Sequence, residues 1–412
     1  MLLTSLGLGL LSGGAIGFAP PAEAAPRCPT PAPSVVRAAP GSGKTIALTF
    51  DDGPAAATPP ILAVLRRYDV RATFFDTGLH DAQHPEMTRL IAAEGHLLGD
   101  HTWEHRYPAN ANGHWSRSYL NGQLSRTNAQ QQRLTGRPTC YFRPPGGFET
   151  PGMLADARAH GMSTVLWSVD TLDWRQAPHT TRASTRMIEQ NAAAGYGQQH
   201  PIVLMHTGKA SHEPESQVSS NRSNDVAALA SVIRGYRDHG YRFVDLAGRS
   251  GLPAATTTVS VARGTVSAPA GSRVPAVTGT LRSLAGPVAK QRLHWYARPH
   301  GSGPWTDRGA VTTDRSGTVR VSDRPTGPTD YTLRFLGTSR YQPASATRAH
   351  TVLTVSASPS PSPTPSASAS PTASASPTPS ASPTPSATPP APTSSWRRLL
   401  HHLTHPSWLW NR

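Results

Sequence analysis

Residues 44–246 predict an α/β fold, a parallel sheet wrapped by helices and closed into a (β/α) barrel, and residues 254–356 predict a separate all-β sandwich. Three observations carry this reading. Short apolar runs alternate with helix-period segments through the first half of the chain, the pattern that βα units leave when helices cover a parallel sheet. After Leu252 the pattern changes to Thr/Val-rich runs between Gly, Pro and Asp turns, with no helical period. Ser356–Pro392 is almost wholly Ser, Pro, Ala and Thr. Such a tract has too little apolar surface to offset the entropy of ordering, so 357–393 reads as a disordered Ser/Pro-rich linker.

The elements follow in order. Ile46–Phe50 is a buried strand, and Thr58 is placed to cap a helix that has Pro59 in its first turn and runs through Ile61–Tyr68. Ala72–Phe75 is the second strand and Pro85–Glu94 a helix closed by Gly95. His96–Gly99 is the third strand, Ser116–Leu134 a long polar helix, and Thr139–Phe142 the fourth strand. Met153–His160 is a helix stopped by Gly161, and Ser163–Val169 a strand. Thr180–Ala194 is a helix stopped by Gly195, Pro201–Met205 a strand, Asn224–His239 the last helix, ended by Gly240, and Tyr241–Leu246 the last strand. Seven strands at this spacing fit a barrel, complete or not, better than a dinucleotide-binding sheet, and no G-x-G-x-x-G follows the first strand. The sandwich strands are Thr256–Ala262, Ala276–Leu281, Gln291–Ala297, Thr318–Ser322, Thr329–Phe335 and Thr351–Val355. His294-Trp295-Tyr296 is expected to be a central strand with a buried aromatic.

The formal charge is +15, carried almost wholly by Arg, with Lys only at 44, 209 and 290. No RNP-like motif, zinc-finger spacing or Lys/Arg block accompanies it, which excludes the usual nucleic-acid readers and favours an anionic wall or membrane surface. Leu2–Phe18 is apolar and Gly-rich and is followed by Ala22-Glu23-Ala24, an A-x-A cleavage pattern, so residues 1–25 read as an export signal, although one without a leading Lys or Arg. The apolar run is short and broken by glycines, which disfavours a membrane anchor. Cys28 and Cys140 are the only cysteines. An exported chain permits one disulfide between them without demanding it. The tail, 394–412, combines three Trp with Arg397, Arg398, Arg412 and three His, which suits either a short interfacial helix touching a membrane surface or a frayed end.

Chemistry concentrates at strand ends. Thr49-Phe50-Asp51-Asp52-Gly53-Pro54 closes the first strand with two adjacent carboxylates, which are costly unless a cation compensates them. His101-Thr102-Trp103-Glu104-His105 follows the third strand. Two His at i, i+4 share one face of a helix and can bind one divalent metal. With Asp52 they make a two-His, one-carboxylate set that leaves positions open for water and substrate. Arg143-Pro144-Pro145-Gly146-Gly147, Asp170-Thr171-Leu172-Asp173-Trp174 and Leu204-Met205-His206 end three further strands. In a β/α barrel, functional groups gather at the C-terminal ends of the strands, and all five clusters fall there.

In that order, TFDDGP, HTWEH, RPPGG, DTLDW and LMH resemble the polysaccharide deacetylases of carbohydrate esterase family four, the NodB-homology group, over about residues 43–250. The resemblance implies a distorted (β/α)7 barrel and a metal-assisted deacetylation of GlcNAc-containing polymers or acetylated xylan. It implies Asp51 as catalytic base and Asp52, His101 and His105 as ligands of Zn²⁺, with Co²⁺ as a substitute. Arg143 would hold Asp51, the Gly146 N–H would serve an oxyanion hole, and Asp173 would orient the general acid His206. Pro145, Trp174 and Leu204 would line the acetyl pocket. Two positions depart from the family pattern: Gly146-Gly147 stands where many members carry a larger residue, and Thr207 where Asp is frequent. The downstream strands resemble a bacterial immunoglobulin-like sandwich, read as a spacer or binding module. Alternatives are an acetylxylan esterase, a non-catalytic wall-binding protein, which would show a broken metal or acid position, and a zinc peptidase, disfavoured because no H-E-x-x-H occurs. The expected setting is extracellular, with an acetylated polysaccharide as substrate, the anionic cell wall as a partner surface, and no nucleic acid.

Overall fold

The computed structural model describes residues 27–108, 114–175 and 182–355, apart from 211, 217, 219, 221 and 263. The export signal, the Ser/Pro-rich linker and the basic tail lie outside the described residues.

Within 43–250 the order is β1 (Thr45–Gly53), α1 (Thr58–Arg67), β2 (Thr73–Asp76), α2 (Gly78–Gln83), α3 (Pro85–Ala93), β3 (Leu97–Asp100), α4 (Arg117–Thr135) and β4 (Tyr141–Phe142). Then come α5 (Met153–Ala159), β5 (Ser163–Thr164), β6 (Val169–Asp170), α6 (Arg182–Ala193), β7 (Ile202–His206), α7 (Ser223–Asp238) and β8 (Arg242–Phe243). All strand pairs here are parallel, in the order β5-β4-β3-β2-β1-β7-β6, with β8 added to the start of β1.

The expected strand Ser163–Val169 breaks in two, and the break explains the distortion. Its first half pairs with β4 and its last residues with β7, so one short segment joins both ends of the sheet. Between them, Val36 bridges to Val165 and its carbonyl accepts the Leu166 N–H, so a leading segment patches the seam. A disulfide joins Cys28 to Cys140 and ties this leading segment to the residue before β4.

β1 is buried on both faces, as a central parallel strand must be. Ile46, Leu48 and Phe50 pack with helix residues such as Leu62 and Leu229, whereas Ala47 joins Phe75, Val165 and Ile202 in a second cluster. Thr49 lies on the same face as Ala47 and leads to Asp51 at the site.

Three local expectations change. Thr58 is not the cap of α1: Ala57 holds that position without a side-chain hydrogen bond, and the Thr58 hydroxyl instead accepts from the Ala55 N–H. α2 was not expected; Thr77 caps it by accepting from the His80 N–H. The His101–His105 segment is not helical, as described below.

Downstream, two sheets form around Val277, Leu281, Leu293, Tyr331 and Leu333. The six expected strands are present, and Thr265–Pro269 and Thr306–Thr312 join them. Arg292–Pro299 is central, paired on both sides, but Trp295 is only half-buried, stacked on Tyr331.

Candidate active site

Strand alternation would send Asp51 and Asp52 to opposite faces of β1. A bulge prevents this: pairing with β2 skips from Asp51 to Gly53, and Asp52 takes a left-handed φ of 63°. Both carboxylates thereby face His101, whose Nε2 is 3.6 Å from an oxygen of each. A non-glycine residue with positive φ costs on the order of 1–3 kcal/mol and persists where its surroundings over-determine it.

The two histidines converge through a loop, not a helix. Thr102 and His105 both have positive φ, 65° and 57°. The loop is pinned by side chains: Asp100 accepts from the Thr102 N–H, the Thr102 hydroxyl from the His105 N–H, and Gln123 of α4 from the N–H groups of Trp103 and Glu104. His105 Nε2 ends 3.2 Å from Asp52 Oδ1. One ligand atom from each of Asp52, His101 and His105 lies within 4.8 Å of the others, and all three residues are buried. His101 Nδ1 lies 2.7 Å from the Arg143 carbonyl, which holds the proton there and leaves Nε2 facing the carboxylates.

Arg143 occupies the barrel interior with no exposed surface. One guanidinium nitrogen donates to Asp51 Oδ1 at 2.7 Å and to the Thr49 hydroxyl at 2.9 Å, and the group stacks on Phe75. Pro144 and Pro145 then turn the chain into Gly146 and Gly147, both with positive φ. A side chain at Gly146 would collide with the Tyr107 and Phe148 rings at 2.8 Å, so these aromatics occupy the room that a larger residue needs.

His206 closes β7 in direct register with Asp51 across the β1–β7 pair. Asp173 accepts from the His206 backbone N–H and pairs with its Nδ1, both at 2.8 Å. Thr207 donates its N–H to the Asp51 carbonyl, locking the two strand ends together.

The electrostatics separate these groups into roles. Burial drives His105 well below its ordinary value and lowers His101, which keeps both imidazoles neutral, the ligating form. Burial raises Asp52 to about 7, against the pull of His206. Burial also disfavours charge on His206, but the Asp173 carboxylate outweighs it and lifts His206 to about 9. Asp173 is correspondingly held far below the carboxylate range by His206, despite its own burial. An acid kept charged thus faces an acceptor-rich set of carboxylates across one strand pair.

A family model for polysaccharide deacetylase matches residues 38–165. A peptidoglycan-N-acetylglucosamine deacetylase of Bacillus cereus is 34% identical over 208 residues, which span 50% of this chain and 87% of that protein. The chain belongs to the polysaccharide deacetylase family. Chitin deacetylase 1 of Saccharomyces cerevisiae is 30% identical over 45% of this chain and 60% of its own length. A solved peptidoglycan N-acetylglucosamine deacetylase is 31% identical, with a TM-score of 0.44 over 51% of this chain and 89% of that one.

Family members are hydrolases of acetyl amide bonds. Asp51, Asp52, His101, His105, Arg143, Asp173 and His206 all reach the C-terminal end of the barrel. Trp174 follows Asp173 in a short 3-10 turn and is half-buried under the Arg175 guanidinium. Leu204 is buried in β7, where its carbonyl accepts from Thr171, and Pro145 is buried beside Arg143.

Sequence reading missed four groups. Asp76 and Asp100 close β2 and β3 and are fully buried; neither Asp76 oxygen, and only one Asp100 oxygen, has a hydrogen-bond partner. Burial, with neighbouring acids, raises Asp76 well above the usual range, and burial does the same to Asp100. An acid closing an apolar run, as in TFFD and LLGD, was the available signal. His212 and Glu213, which reach the same mouth from the loop after β7, had none.

Proposed function

We propose that the chain is a secreted, metal-dependent deacetylase that hydrolyses N-acetyl groups on GlcNAc-containing wall polymers. One observation carries the mechanism: a buried Asp–His–His set, an Arg-held carboxylate and an Asp-held cationic imidazole converge on adjacent strand ends. The donors fit a divalent cation. Asp52 Oδ1 is buried without a hydrogen-bond donor, the two imidazoles facing it are neutral, and a two-His, one-carboxylate set suits Zn²⁺ while leaving open positions. A cation held by Asp52, His101 and His105 would activate water and polarise the acetyl carbonyl.

The chain's own groups perform the proton transfers. Asp51, held by Arg143, accepts the proton of the attacking water. The Gly146 N–H, in the turn after Pro144 and Pro145, donates to the developing oxyanion, an interaction worth about 3–4 kcal/mol. His206 gives its proton to the nitrogen as the C–N bond breaks, releasing acetate and a free amino sugar. Pro145, Trp174 and Leu204 shape the acetyl pocket. The A-x-A pattern near residue 24 and the Cys28–Cys140 disulfide support export to an oxidising compartment. The Arg-rich charge supports contact with an anionic wall.

The test is acetate release from peptidoglycan, chitooligosaccharides and acetylated xylan, with zinc or cobalt. Release from the first two that vanishes with chelator and in Asp51→Asn is expected. Release from xylan alone would overturn the substrate assignment. Release from none, with metal bound, would overturn catalysis.

A further inference from the structure

The loop joining β7 to α7 carries a second set of metal-ligating side chains. The loop is fixed where it begins and ends. Gly208 packs so tightly on the Asp52 carbonyl that a side chain there would lie 2.3 Å from it, and Arg222, buried at the other end, donates to the Gly208 carbonyl. Inside the loop, the Lys209 ammonium binds the Glu213 carbonyl at 2.7 Å.

Glu213 is held in place. One carboxylate oxygen accepts from the Tyr107 hydroxyl at 2.6 Å and the other from the Ala210 N–H at 3.2 Å. Its neighbour His212 is exposed, stacks on His105 with ring centroids 5.7 Å apart, and meets the Tyr107 ring edge-on at 5.2 Å. Ligand atoms of His105, His212 and Glu213 all lie within 4.8 Å of one another. His105 Nδ1 is buried and has no hydrogen-bond partner. This loop therefore brings a second imidazole and a second carboxylate to a histidine that already belongs to the inner set.

We infer that His212 and Glu213, together with His105, form an outer binding site for a second divalent cation of the zinc type, at the mouth of the active site. The donors are again two imidazoles and a carboxylate, and the exposed His212 lets an ion enter from solvent. Because His105 is shared, filling the outer site draws on the inner set and obstructs the mouth. Zinc in excess therefore inhibits the enzyme that a first zinc activates. The inference rests on the inner Asp52–His101–His105 reading.

The experiment uses the full chain, stripped of metal and titrated with ZnCl2 by calorimetry and by metal content after dialysis. H212A combined with E213Q is compared with the unaltered chain. The double variant is expected to bind one zinc fewer, and its acetate release should plateau where the unaltered chain declines. Ions held elsewhere on the chain are common to both and cancel. Equal zinc content in the two chains, or an identical decline at high zinc, would overturn the outer site. D52N combined with H101Q separates the two readings. It removes the inner ion and acetate release, and failure to do so sinks the inner set without bearing on the zinc difference caused by H212A and E213Q.

Discussion

In the sandwich, Asp330 is the one buried charged side chain among the described residues, and it is fully compensated. His300 and Thr351 meet one of its oxygens, and the Gly301 N–H and Arg298 the other. The barrel buries Asp51, Asp52, Asp76, Asp100, His101, His105, Arg143, Asp173 and His206 together, and leaves oxygens of Asp52, Asp76 and Asp100 without donors. The overall charges run the other way. Residues 43–250 carry 21 Lys and Arg against 19 Asp and Glu, whereas 254–355 carry 13 against four. A buried acid costs several kcal/mol unless it is paired or protonated. The sandwich therefore keeps its charge on its surface, and the barrel gathers buried acids without donors at its strand ends.

The sharpest way to break this contrast is to remove the acid that faces the histidines. Asp52→Asn should abolish tight zinc binding and lower kcat by about three orders of magnitude or more, as loss of metal-activated water requires. Metal content and acetate release, read together, check it. If Asp52→Asn keeps its zinc, the barrel's uncompensated acids have another purpose.

Next in size is the proton donor. Replacing His206 by Ala should lower kcat by about 10²–10⁴ with little change in zinc content. As the proposed acid, His206 has to be protonated, and its value of about 9 predicts that activity persists to near pH 9 and falls above it. In Asp173→Asn the main raising influence is lost while burial still opposes the charge, so the alkaline limb should move to lower pH. An unshifted limb in the pH–rate profile would show that Asp173 does not set the acid.

A smaller effect concerns the seam. Replacing Cys28 and Cys140 by Ser frees the leading segment that patches β5 and β6, and should cost about 2–5 kcal/mol of stability. The melting temperature reports it, with zinc binding retained at low temperature. The smallest effect belongs to the sandwich. Asp330→Asn weakens charge-assisted hydrogen bonds and should cost on the order of 1 kcal/mol at neutral pH. Although burial opposes it, the His300, Gly301 and Thr351 bonds lower Asp330 overall. The contribution is present above the unfolded carboxylate value and is lost as pH falls through the lower folded one. Unaltered acetate release from a soluble oligosaccharide in this variant would sharpen the division between the modules.

Much of the site was legible because parallel barrels expose functional groups at strand ends, and apolar runs such as IVLMH and LLGDH announce those ends. What failed was local geometry. The His101–His105 spacing suggests a helical face, yet Thr102 and His105 adopt left-handed backbone under the hold of Asp100 and Gln123, the latter contributed by α4 some twenty residues on. The split of Ser163–Val169 was equally invisible, because its halves differ in partner, not in composition.

The sequence alone determined the alternation of strands and helices, the family, and the motif residues proposed for the inner site, since apolar periodicity and short motifs are local properties of the chain. Only the tertiary structure decided that adjacent Asp51 and Asp52 turn to the same side, that His206 lies in register with Asp51, and that His212 and Glu213 return over His105. Those facts depend on a bulge, a register and a loop path, which long-range pairing selects and no short stretch of sequence encodes.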